Sequence, residues 1–228
     1  QNIRSDLSGK YALANDLDLS GVKFEPLGTE DDPFTGTFNG NGCTIRGFSL
    51  NAERDNAGLF GYVQGGTIQN VTVENASVKG DAVKNVAVLA GSVDKGTVSS
   101  CTVKGGKVSV SGNLSFNSVG GVIGTARNSL VTFCANSADV TGAEMVGGIV
   151  GQLNQAESDL SYCYNEGRIT AAKGSAGGII GTTTFASYNA ESGSVKCCYN
   201  TGTIDSKQNA GGIVGHSNYS VIEDCGNT

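Results

Sequence analysis

Seven cysteines, one histidine and seven tyrosines are the side chains from which this 228-residue chain could build chemistry. Five of the thiols obey one rule. Cys101, Cys134, Cys163, Cys198 and Cys225 each stand three residues after an aliphatic residue (Val98, Val131, Leu160, Val195, Ile222), and Val71 takes the cysteine's place after Ile68. Thiols in register can pair as disulfides, hold a metal, or fill a core. Side chains stacked in parallel give poor disulfide geometry. A single-file column also lacks the converging ligands, often His, that a metal needs. A buried ladder of small hydrophobes is the reading favoured over those two, with no metal and no cofactor expected. Two residues past this anchor stand Val73, Val103, Asn136, Asn165, Asn200 and Asn227. Asparagines in register predict a hydrogen-bonded amide ladder at a turn.

Enzymatic motifs are absent. His216 is the sole histidine, so no HExxH zinc site and no paired-histidine arrangement exists, and no G-x-S-x-G elbow occurs. A glycan-active site needs carboxylates on neighbouring turns. Neither in-register polar column stacks acids: one reads Gln64, Asp94, Arg127, Asn154, Thr184, Asn218, the other Asn70, Ser100, Phe133, Tyr162, Cys197, Asp224. The acidic clusters Asp16/Asp18 and Glu30-Asp31-Asp32 lie in the N-terminal stretch, and the triplet reads as a solvated loop. No catalytic residue is assigned and the chain is not expected to be an enzyme. Binding has more support. Tyr164 and Tyr199 each follow an anchor cysteine and Tyr162 stands beside them, so aromatic faces could meet a sugar ring or a protein partner. The plainer alternative is an exterior ladder of strand-forming residues. Phe185 and Tyr188, in the long loop 182–194, are the other binding candidates.

The elements that must position these residues follow from a repeat. Gly120-Gly121-Val122-Ile123-Gly124 returns as GGIVG or GGIIG at 147–151, 177–181 and 211–215, with weaker copies at 57–61 and 87–91. The closing glycines 61, 91, 124, 151, 181 and 215 are 30, 33, 27, 30 and 34 residues apart. A period near 30 without a helical pattern signals a solenoid. Three short apolar runs per repeat, rich in Val, Ile and Thr and bounded by Gly, Asn or Ser, predict an all-β chain with three short strands per turn of a parallel β-solenoid. The spacing holds one conflict. The aliphatic residue and the cysteine, three apart, cannot both face inward on one flat strand, so a bend must lie between them.

Composition narrows the partners. A net charge of −6 with 16% charged residues argues against nucleic acid, and no run of 18 apolar residues is present to insert in a membrane. The chain begins at Gln1 and stops within a repeat, and is expected to be a piece of a larger parent chain.

The pattern GG[IV][IV]G…[IVL]xxCYNxGxI resembles the GLUG-motif repeat, most closely in Cys163-Tyr164-Asn165-Glu166-Gly167-Arg168-Ile169 and Cys198-Tyr199-Asn200-Thr201-Gly202-Thr203-Ile204. The stretch from Tyr11 to Ile45 resembles the leader that precedes such repeats. The resemblance implies a right-handed parallel β-helix in a secreted or surface-exposed bacterial protein, either an adhesin-like protein or the non-catalytic N-terminal part of an immunoglobulin A1 metalloprotease. The expected layout is one continuous domain: residues 1–55 form the cap and first coils, and 56–228 form six GLUG-like coils. The expected role is an adhesin-like binding or spacer module with a host glycan or protein as ligand. An accessory domain positioning substrate for a protease is the alternative, and a polysaccharide-active enzyme the third.

Overall fold

The computed structural model describes residues 3–112, 115–154, 157–184 and 193–228. Apart from one helical turn at Ile3–Ser5, its regular elements are strands, and every strand pair is parallel. The chain is a parallel β-helix whose strands stack into long sheets, turn upon turn.

The first sheet has eight strands, from Lys10–Ala12 through Thr67–Gln69 and Leu130–Thr132 to Val221–Glu223. Its register aligns Phe38, Ile68, Val98, Val131, Leu160, Val195 and Ile222 in one column. Ile68 to Val195 in that column are fully buried. The cysteine column lies beside it, with Cys101, Cys134, Cys163 and Cys198 buried and Cys225 partly so.

The bend between these columns is a single residue. Asn70, Ser100, Phe133, Tyr162, Cys197 and Asp224, each one before the anchor, hold φ between 52° and 55°. Left-handed backbone reverses the outward-facing side chain's turn in the pleat, so the residues on either side both point inward. It costs an L-residue about 1–2 kcal/mol. The fold offsets this by spending the corner N–H on the next turn: Ser100 N donates to Thr132 O at 3.0 Å, Phe133 N to Ser161 O at 3.1 Å and Tyr162 N to Lys196 O at 3.0 Å.

Past the corner, the turns differ. Thr72–Asp81 and Thr102–Ser111 are continuous ten-residue strands, giving three strands per turn there. From Ser118 onward the same path divides into a two-residue strand (Ala135–Asn136, Tyr164–Asn165, Tyr199–Asn200) and a later one (Asp139–Gly142, Ile169–Ala171, Ile204–Ser206). The asparagine divides it. Asn136 Nδ2 donates to Ala138 O at 3.0 Å and its Oδ1 accepts from Ala138 N at 3.1 Å, closing a tight local ring that bends the chain. Val73 and Val103 hold the equivalent place in the undivided strands and have no such groups. These later turns also gain a short strand ending at the first glycine of the repeat: Ser118–Gly120, Met145–Gly147, Ser175–Gly177 and Asn209–Gly211.

The paired glycines are needed for close approach. A Cβ on Gly148 would lie 2.1 Å from Gly178 O and 2.4 Å from Asn165 Cγ; one on Gly178 would lie 2.1 Å from Gly212 O and 2.4 Å from Asn200 Cγ. The second glycine therefore faces the asparagine of its own turn. Of the two early repeats in which that asparagine is valine, one keeps the second glycine as Gly58 and the other has Val88 there. One continuous apolar cluster runs from Leu19 to Cys198. The end turn is more open: Val221 and Ile222 are exposed.

Candidate functional site

Two interior ladders run along the axis. Asn136 Nδ2 donates to Asn165 Oδ1 at 2.8 Å, Asn165 Nδ2 to Asn200 Oδ1 at 2.8 Å, and Asn200 Nδ2 to Asn227 Oδ1 at 2.7 Å. Asn136, Asn165 and Asn200 are buried within strands, so the ladder is an internal spine at a bend and not a surface turn. The cysteines form the second. All seven thiols are free. Each column thiol contacts the carbonyl two residues before it, as Cys101 does Ser99 O at 3.2 Å and Cys163 does Ser161 O at 3.3 Å. The neighbouring Cys134 thiol, then burial, push Cys101 well above the usual thiol range; burial above all does the same for Cys163. At Cys134 contact with Cys101 pulls down, but contact with Cys163 and burial outweigh it. These groups are neutral packing at neutral pH and poor nucleophiles.

The outward side of the corner is different. Phe133 and Tyr162, both left-handed corner residues, stack with ring centroids 4.8 Å apart and planes 7° from parallel, and are 57% and 55% exposed. Two residues on, Tyr164 and Tyr199 stack at 6.0 Å and 11°, with Tyr199 40% exposed. The tyrosine hydroxyls reach Thr201 Oγ1 at 3.1 Å and Thr228 Oγ1 at 3.2 Å. Four rings thus cover one corner of the solenoid over three turns. Tyr162 pairs with Phe133 and not with the tyrosines beside it in sequence. Phe133 was missed as a binding candidate, although its place in the column of Tyr162 carried the signal. Phe185 and Tyr188 lie outside the described residues.

A second polar feature lies on the six-stranded sheet Phe60–Gln64, Ala90–Asp94, Ile123–Arg127, Val150–Asn154, Ile180–Thr184, Val214–His216. Its register sets Tyr62, Ser92, Thr125 and Gln152 in one outward column and Asp94, Arg127 and Asn154 in another. The leader loop brings Glu30 to this face, where its Oε1 accepts from Asn56 Nδ2 at 2.9 Å. All three residues of the acidic triplet are exposed, with Glu30 also tied to Asn56. Burial raises the Tyr62 hydroxyl's pKa, with the Asp94 charge adding to it. Among the described residues no three His, Cys, Asp or Glu side chains converge as a metal site.

The class defined by this architecture is the parallel β-helix solenoid. A solved structure of a candidate immunoglobulin A1 protease from Bacteroides ovatus shares it, with a TM-score of 0.78 and 22% identity over 99% of this chain and 71% of that one. No family model and no curated protein matches the chain. The likeness speaks for the fold.

Proposed function

We propose that the chain is a non-catalytic binding module of a secreted or surface-exposed bacterial protein, and that its ligand lies against the strip Phe133–Tyr162–Tyr164–Tyr199. The exposure of two stacked ring pairs on a rigid corner carries this reading. Bulky aromatics at a left-handed position break the local backbone preference, and such violations concentrate where surface chemistry matters. Each stacked pair covers its own inner faces and offers a ligand the ring edges and outermost faces, held at fixed spacing with little ordering entropy to lose. A glycan array probed with the parent chain and the Tyr164→Ala/Tyr199→Ala double variant tests it. Binding to a glycan class that disappears in the variant, with the β-sheet circular dichroism spectrum unchanged, is the expected result. Binding that survives in the variant, or none at all, overturns it.

The likeness to the candidate immunoglobulin A1 protease favours a second reading, an accessory domain that holds substrate while another part of the parent chain cuts. That reading requires a cleaving domain elsewhere in the parent and loss of cleavage efficiency, chiefly through KM, when the aromatic strip is removed.

A further inference from the structure

The column Asp94–Arg127–Asn154 is unspent. Asp94 and Arg127 are register neighbours on adjacent strands, a spacing of about 4.8 Å at which such a pair ordinarily closes an ion pair. Here it does not: no ion pair or side-chain hydrogen bond joins the guanidinium to anything among the described residues. Asp94 Oδ1 and Asn154 Oδ1 are both shielded from solvent and both lack a hydrogen-bond partner. Leaving a buried acceptor unmatched is unfavourable by about 1–3 kcal/mol, more for a charged one. The sheet therefore sets acceptor, donor and acceptor in a row with none of the three used.

Asp94 and Arg127 border a cleft of about 90 Å³ that Glu30, Tyr62, Ser92 and Thr125 also line. The wall beside the charged column is fixed by a chain of hydrogen bonds. Ser92 Oγ and Asn85 Nδ2 donate to Asn56 Oδ1 at 2.6 and 2.8 Å, and Thr125 Oγ1 donates to Asn85 Oδ1 at 2.8 Å. The polar wall is thus set before any ligand arrives, which lowers the entropy lost on binding.

We infer that this cleft is a second binding site, separate from the aromatic strip, and that it takes the hydroxyl-bearing edge of a sugar residue. Hydroxyl groups both donate and accept, so neighbouring hydroxyls on one ring can donate to Asp94 and Glu30 while accepting from Arg127. A zwitterion would satisfy the fixed charges but would leave the Tyr62 hydroxyl without a role, the Ser92 and Thr125 hydroxyls being already engaged in the wall. The volume suits one ring edge, not a chain threaded through the site.

The test uses the full chain and a panel of methyl glycosides, read by saturation-transfer NMR and titration calorimetry, beside Asp94→Asn, Arg127→Lys and Tyr164→Ala/Tyr199→Ala. At least one glycoside is expected to bind with Kd on the order of 1 mM, as a single sugar does. Asp94→Asn and Arg127→Lys should each weaken it by about tenfold or more, since each loses a charge-assisted or bidentate contact. The tyrosine double variant should leave it unchanged, which separates this site from the strip. Three results overturn the proposal: no glycoside bound by the parent chain, binding indifferent to both cleft variants, or binding abolished by the tyrosine variant. Binding of free amino acids in place of glycosides overturns it as well.

Discussion

At the scale of single residues, the chain shows what each repeat position is for. The second glycine of GGIVG makes room for the asparagine of its own turn and for a carbonyl of the next. Gly178→Ala would drive a methyl group into Gly212 O, and a loss of about 2–3 kcal/mol in urea unfolding is expected, against about 1–2 kcal/mol for an alanine at Gly65, where the added methyl group meets nothing and only the positive φ opposes it. The corner residues carry the opposite lesson. Because φ near 53° suits Asn better than Tyr, Tyr162→Asn should leave the unfolding midpoint level or raised while the aromatic surface is reduced. A marked drop in stability would mean that stacking on Phe133 holds the corner together. The thiols make a pH prediction. Cys101, Cys134 and Cys163 have folded pKa values raised above the unfolded range. Their contribution is therefore complete below about pH 8.5–9 and is eroded as pH climbs toward the folded values, by about 1.4 kcal/mol per pH unit for each thiol. Urea midpoints measured from pH 8 to 10.5 should fall, and fall less steeply in Cys163→Ala.

Between turns, columns carry the energetics. Asn165 accepts from Asn136, donates to Asn200 and closes its own bend on Gly167 O at 2.9 Å. Asn165→Ala would strand those buried partners, and a loss of about 3 kcal/mol is expected from unfolding curves. A contrasting column lies on the outside. Asp16, Arg46, Glu74 and Lys104 alternate in charge over successive turns, with Arg46 bonded to Asp16 at 2.7 Å and to Glu74 at 2.9 Å, and Lys104 to Glu74 at 3.1 Å. These pairs are solvent-exposed, so reversing the central charge in Arg46→Glu should change stability by no more than about 1 kcal/mol, and less in high salt. The two columns separate legibility from energy. The asparagine register could be read off the sequence because its spacing repeats. Arg46, Glu74 and Lys104 repeat likewise, each three residues past Cys43, Val71 and Cys101, whereas Asp16 shares no such offset. The register pairs Asp18 with Arg46, and only the fold shows the bond from Asp16 to that guanidinium.

For the whole molecule, stacking leaves the final turn with one unpaired edge on each sheet, and Tyr219, Val221 and Ile222 are exposed there. Unpaired strand edges beside apolar side chains favour association. Studied alone, the 228-residue chain should elute earlier from size exclusion as concentration rises, and Ile222→Lys should suppress the shift; a clean monomer throughout would count against it. The sequence by itself determined the solenoid, because a period near 30 with Gly, Val and Asn at fixed offsets leaves no other way to bury each repeat's apolar side chains. It also placed the cysteine and asparagine columns, since repeat position becomes spatial neighbourhood once turns stack. Only the tertiary structure decided where the bend lies, because a left-handed Phe133 or Tyr162 has no local signature that distinguishes it from an ordinary strand residue. It alone showed that Glu30 reaches the face of Asp94 and Arg127. Glu30 shares no repeat offset with those two residues, and its proximity follows from how loop and coil pack.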